Sequence, residues 1–103
     1  MRKITKESVK HFLNRTPFNK SNTAVVTESN GTTYLILHGN KIAALTSKSE
    51  LWITTAGWDT VTTKERLNGL PNVSLNHKKR QLYLNGKEWT GEDTYVGKHF
   101  ITY

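Results

Sequence analysis

Apolar residues recur along the chain with two different periods. Near the N-terminus Val9, Phe12 and Leu13 fall at i, i+3 and i+4, the single stripe of an amphipathic helix. Lys6, Lys10 and Asn14 fall on its other faces. Thr5 is placed to cap this helix, with Ile4 before it and Val9 at the fourth helical position as a hydrophobic staple. Pro17 is expected to end it, because the residue before a proline is pushed out of the helical region.

The period then changes. Thr23-Ala24-Val25-Val26-Thr27 and Thr32-Thr33-Tyr34-Leu35-Ile36-Leu37 are rich in β-forming residues and flank Asn30-Gly31, which supplies the positive φ angles of a hairpin. His38-Gly39-Asn40-Lys41 predicts a second turn into Ile42-Ala43-Ala44-Leu45. Thr46 to Ser49 predicts a third, into Leu51-Trp52-Ile53-Thr54-Thr55. The result is a four-strand meander.

Helical signals return once. Thr62 with Glu65 three positions later matches a capping box; Leu67 and Leu70 point inward; Asn68-Gly69 and Pro71 supply the stop. Val73 to His77 and Gln81 to Leu84 predict two strands joined at Lys78-Lys79-Arg80, and Asn85-Gly86 predicts a turn into Lys87-Glu88-Trp89. A terminal strand is expected at Phe100 to Tyr103. Together these predict one α+β domain: an N-terminal helix packed on a mainly antiparallel, twisted sheet of about six strands, with a short helix inserted before the last hairpins. Residues 1–20 are the basic helix and loop, 21–58 the meander, 59–71 the short helix, and 72–103 the hairpins and C-terminal tail.

Composition narrows the chemistry. The 103 residues contain no Cys, which excludes a disulfide scaffold, thiol catalysis and Cys-based zinc sites. No stretch approaches the ~20 apolar residues of a membrane span, and no apolar leader follows Met1, so a cytosolic protein with no membrane partner is expected. The net charge of +7 is unevenly placed: +5 in residues 1–20, −1 in 21–59, +4 in 60–91 and −1 thereafter. If folding joins the two basic segments, they form one positive face that would draw phosphates or an acidic protein surface.

Catalytic patterns are sparse. His11, His38, His77 and His99 stand alone, without metal-ligand spacing, and no carboxylate pair suggests an acid/base couple. No catalytic residue, metal site or cofactor is therefore expected. His38 in its Gly-Asn turn reads as a capping side chain, and Trp52 and Trp58 read as core or core-edge residues. Lys78, Lys79 and Arg80, with Lys64, Arg66 and Lys87, carry the candidate binding chemistry, because long cationic side chains on a turn reach phosphates through charge-assisted bonds. Lys6, Lys10 and Arg15 would extend that face. Trp89 and Tyr83 offer a stacking surface, or else serve as cross-strand packing partners.

Three stretches also carry a resemblance: Tyr34-Leu35-x-Leu37-His38-Gly39-Asn40-x-Ile42-Ala43, then Thr55-Ala56-Gly57-Trp58-x-Thr60-x-Thr62-Thr63-Lys64-Glu65-Arg66-Leu67-Asn68, then Leu82-Tyr83-Leu84-Asn85-Gly86-Lys87-Glu88-Trp89-x-Gly91. With Asn22-Thr23-x-Val25 they resemble small accessory proteins of tailed bacteriophages. The resemblance implies a phage-encoded protein acting in the host cytoplasm, and it carries over no catalytic residue. The leading expectation is a non-enzymatic binding protein that contacts RNA, DNA or a nucleic-acid-processing host or defence enzyme, as a counter-defence inhibitor does. The alternatives are an inhibitor or adaptor of an acidic host protein, centred on aromatics such as Trp89 or Tyr95, and a small nuclease using His and Lys. Edge strands leave a homodimer open.

Overall fold

In the computed structural model, which describes residues 2–99, the chain begins with α1 (Lys3–Leu13) and continues through β1 (Phe18–Lys20), β2 (Thr23–Thr27), β3 (Thr33–Leu37), β4 (Asn40–Leu45) and β5 (Glu50–Ile53). After α2 (Val61–Leu67) come β6 (Leu75–Lys78), β7 (Gln81–Leu84), β8 (Lys87–Glu88) and β9 (Thr94–Lys98). A six-stranded antiparallel sheet has the order β1-β2-β3-β4-β5-β9, and a second sheet has the order β6-β7-β8. The α+β class, the leading helix, the six-stranded sheet and the helix before the last hairpins all match the expectation. Two strands were not expected: β1, which is short and polar, and β9, whose pairing with β5 spans some forty residues of chain. The strand expected at Phe100 to Tyr103 lies outside the described residues.

α1 forms where its apolar stripe requires, with Val9 and Phe12 buried. Its ends differ from the local reading. Thr5 is not the cap: the helix starts three residues earlier than that cap implies, at Lys3 behind Arg2, and Thr5 is fully buried. Pro17 is not the stop either. Arg15 takes φ +58°, its N–H reaches the carbonyl of Phe12 at 3.2 Å, and the N–H of Thr16 reaches that of His11 at 2.9 Å. That pair of bonds is a Schellman motif with arginine where glycine is usual.

Val25, Leu35, Leu37, Ile42, Leu45, Leu51 and Ile53 build the buried sheet face, over which α1 packs at β1, β2 and β3 and α2 at β4. In β4 the register slips opposite Leu35/Ile36, so the successive residues Ile42 and Ala43 are both buried, which strict alternation would forbid. The turn after β2 is likewise not a two-residue Asn-Gly loop. Glu28 N–H bonds the Thr32 carbonyl, and within the loop Gly31 has positive φ while Asn30 does not.

The capping box at α2 is also displaced. Thr60 is the cap, accepting the Thr63 N–H at 3.2 Å, and Glu65 turns away to α1. Gly69 follows the helix, where a Cβ would meet Thr5 Cγ2 at 2.9 Å and Val9 Cγ2 at 3.0 Å, so only glycine admits this closeness to α1. The Asn68 amide then takes the place of a neighbouring strand beside β6, donating to the Leu75 carbonyl at 3.2 Å and accepting its N–H at 2.7 Å. Leu75, Leu82, Leu84 and Trp89 carry the second sheet into the common core.

Candidate functional site

The sequence offers a surplus of cations, and the fold divides them into two populations. Arg66, expected on the surface, is 1% exposed. Its Nε donates to Thr23 Oγ1 at 3.1 Å, and its Nη1 donates to Thr5 Oγ1 at 2.7 Å and to Glu65 Oε1 at 2.8 Å. Thr5 in turn donates to Glu65. Burial pushes the guanidinium below its ordinary pKa, while the adjacent Glu65 carboxylate draws it back up and Arg2 opposes that. The group therefore fastens α1, β2 and α2 together and presents nothing to a partner.

Arg15 is engaged in a similar way at the other end of α1. Its left-handed backbone turns the side chain onto the end of the large sheet. There Nη1 is shared among the Gly31 carbonyl at 3.0 Å, Thr33 Oγ1 at 3.1 Å and the Leu45 carbonyl at 2.9 Å, and Nη2 donates to the Thr46 carbonyl. These are loop and strand-end acceptors that the sheet ladder leaves over.

The second population sits on the β6–β7 hairpin. Lys78, Lys79 and Arg80 are all exposed, and the ion pairs found among the described residues involve Lys20, Lys41, Arg66 and His77 instead. Lys79 and Arg80 form the two-residue loop, with φ +48° and +67°. Two other two-residue hairpin loops share this doubly positive pattern: His38-Gly39 with +50° and +79°, and Asn85-Gly86 with +52° and +85°. Both place glycine second. Asn85 also satisfies its surroundings, accepting the Ser74 N–H and donating to the Asn72 carbonyl, each at 2.9 Å. Side chains other than Gly, Asn or Asp lose roughly 1–2 kcal/mol each in this region. The cationic tip is thus held in a costly backbone geometry.

Tyr83 is half-buried on β7 and pairs across to Asn76, two residues from Lys78, so an aromatic ring and the cations share one hairpin. Lys87 is exposed at the other end of β7, about 10 Å from the tip at roughly 3.4 Å per strand residue. Trp89 is 5% exposed and donates from Nε1 to Thr94 Oγ1 at 2.8 Å. It joins the two sheets as a packing residue, the alternative reading of it, and at this burial offers no stacking surface. Lys6 and Lys10 are exposed on α1, which packs on β1, β2, β3 and α2, while Lys64 is half-buried on α2.

Two features escaped the sequence reading. Trp58, expected at the core edge, is 59% exposed. It ends a closed turn in which Ala56 and Gly57 have φ +54° and +83°, and its N–H bonds the Thr55 carbonyl at 2.9 Å. The indole borders a cleft of about 180 Å³ floored by Leu37 and Ile42 and walled by His38, Asn40 and Thr62. Ala-Gly before the tryptophan was the available signal. The second feature is a row across the large sheet on the face opposite α1: Val26, Tyr34, Ala44, Trp52 and Tyr95, one residue from each of five successive strands. Val26 is 41% and Tyr95 46% exposed. Lys41 lies 4.1 Å over the Tyr34 ring and pairs with Glu28 at 3.3 Å, and Asp93 borders the same face.

Among the described residues no group of three His, Asp or Glu is placed to hold a metal ion, and no helix is long and apolar enough to cross a membrane. A family model described as Kyanoviridae Gp96 protein matches residues 1–102. Comparison with curated proteins and with solved structures gave no match.

Proposed function

Because the chain belongs to the Kyanoviridae Gp96 protein family, a bacteriophage family, we propose that it is a non-enzymatic, phage-encoded binding protein whose contact with nucleic acid is made by the Lys78–Arg80 hairpin. One observation carries this reading: three exposed cations, unpaired among the described residues, on a loop whose two central residues both sit in a backbone region suited to Asn-Gly. Strain of this kind collects where a protein presents something to a partner. Phosphates are the partner that flexible, strongly hydrated lysines and a planar guanidinium jointly suit. In the host cytoplasm the same tip would reach nucleic acid directly or displace it from a nucleic-acid-processing defence enzyme. Lys6 and Lys10 add to the long-range field that draws a polyanion.

The test is binding of short RNA and DNA, single-stranded and duplex, across a salt series. Removing one cation from a phosphate lowers the log–log slope by about 0.9 on duplex and about 0.7 on a single strand. Changing Lys78, Lys79 and Arg80 together to Ala should therefore reduce the slope by about 2 on a single strand and by about 3 on duplex. A wild-type protein that binds no nucleic acid at low salt would overturn the proposal.

A second reading, docking of a host protein, is favoured by the row from Val26 to Tyr95. An open sheet face bearing contiguous apolar and aromatic side chains has the composition of an interface core. Retention of a partner from nuclease-treated lysate, abolished by Trp52→Glu, would select it.

A further inference from the structure

The cleft beside Trp58 bears on what kind of nucleic acid the hairpin receives. Its lining combines buried apolar residues (Leu37 and Ile42) and an exposed tryptophan with an amide (Asn40), an imidazole (His38) and a hydroxyl (Thr62). A volume of about 180 Å³ is on the scale that accepts one planar ring, since a cavity of roughly 150 Å³ holds benzene. An aromatic face over an apolar floor, with a few hydrogen-bonding groups at the edge, is how unstacked bases are held. A tryptophan kept in solvent by a hydrogen-bonded turn is also ready for stacking without reorganisation.

The turn that carries Trp58 touches the strand that leads into the cationic hairpin. His77 on β6 lies 4.0 Å from Asp59, measured Nε2 to Oδ2. Trp58 and Lys78 are each one residue away from that pair, on the Trp58 turn and on the hairpin respectively. The Trp58 turn thus lies beside the hairpin, near enough for a strand whose phosphates rest on Lys78, Lys79 and Arg80 to be followed to the indole. In a duplex the bases are stacked and paired, and none can enter the cleft without being flipped out. In a single strand every base is free to turn in.

We infer that the protein is a single-strand binder in which the Trp58 cleft takes one unstacked base while the Lys78–Arg80 hairpin holds the adjoining phosphates. This rests on the nucleic-acid reading above and goes beyond it in assigning strandedness and a base site. Asn40 and Thr62 read the edge of the base; Trp58 supplies sequence-tolerant stacking, because every base has a π-face.

The experiment titrates the full chain with oligo(dT), oligo(dA) and the dA·dT duplex, comparing wild type with Trp58→Ala, Trp58→Phe and the Lys78/Lys79/Arg80 triple-Ala variant. Removing the stacking partner of one base lowers affinity about tenfold. Trp58→Ala should do this for the single strands, leaving duplex binding and the salt slope unchanged, and Trp58→Phe should restore most of the affinity. The binding-induced quench of tryptophan emission should vanish in Trp58→Phe, with Trp52 and Trp89 still present. If Trp58→Ala binds single strands like wild type while the triple variant does not, the cleft assignment falls and the hairpin stands. An equal reduction on single strand and duplex also overturns it. If wild type binds none of the three probes at low salt, both readings fall together.

Discussion

The junction of α1, β2 and α2 and the β6–β7 hairpin both concentrate cations, and they use them in opposite ways. At the junction Arg66 is sealed in, every distance from its guanidinium to Thr5, Thr23 and Glu65 being about that of a hydrogen bond. At the hairpin Lys79 and Arg80 face solvent on a backbone that resists them. The first arrangement gives up the cation's availability to hold three elements together; the second gives up backbone comfort to keep its cations available. Net charge read from composition merges these populations. The fold separates them, leaving the hairpin's three cations exposed while those of Arg66 and Arg15 are engaged within the protein.

The contrast breaks most severely at Arg66. Arg66→Ala leaves the Glu65 carboxylate without its cation and strips donors from two buried threonines, which should cost about 3–5 kcal/mol. Urea unfolding measures it as a drop in midpoint at an unchanged slope. Replacing both charges, Arg66→Met with Glu65→Leu, should recover part of the stability, since removing a buried pair costs less than orphaning one member. A drop below about 1 kcal/mol in Arg66→Ala would show that the three elements do not depend on this fastening.

The same network explains which local signals failed. Thr5 and Thr62-Glu65 each looked like helix-start chemistry, and each was displaced by one long-range cluster: Thr5 and Glu65 are both drawn to Arg66. No local window contains that competition, because Thr5 and Arg66 are 61 residues apart. The apolar stripe of α1 and the alternation of β2 to β5 were legible because burial itself sets those periods. β9 was hidden: Gly97 interrupts its pattern, and its partner β5 lies far upstream. At the candidate site the Lys78-Lys79-Arg80 turn was legible as a turn. Its strain was not, since sequence shows residue types and not dihedral angles. Trp58 was misplaced for a related reason: aromatic character suggests burial, and only the turn geometry keeps the ring out.

Arg15 sharpens the comparison from the other end of α1. Its side chain serves three carbonyls and a hydroxyl at the margin of the large sheet. Arg15→Ala should destabilise by about 1.5–3 kcal/mol, the range for hydrogen bonds to a charged group. Its effect on the salt slope of nucleic-acid binding should be negligible, because the guanidinium is already occupied. A variant that unfolds at the wild-type midpoint but binds with a lower slope would move Arg15 into the available population and dissolve the distinction.

The smallest change in stability tests the hairpin itself, and its sign is the informative part. Lys79-Arg80→Asn-Gly gives this loop the residues already present at Asn85-Gly86 on the far end of β7, where φ values of +52° and +85° are adopted without penalty. Relief of two strained residues, less the chain entropy that glycine gives up on folding, should raise stability by about 1–2 kcal/mol net. Two cations leave the phosphates at the same time, so the single-strand salt slope should fall by about 1.4. Stability and affinity then move in opposite directions within one variant. That is the behaviour of a loop shaped for a partner, because a loop shaped only to connect β6 and β7 would improve on one measure and be indifferent on the other. If the Asn-Gly variant is no more stable than wild type, the φ angles of Lys79 and Arg80 carry no strain, and nothing in the backbone then sets this tip apart from the other exposed cations.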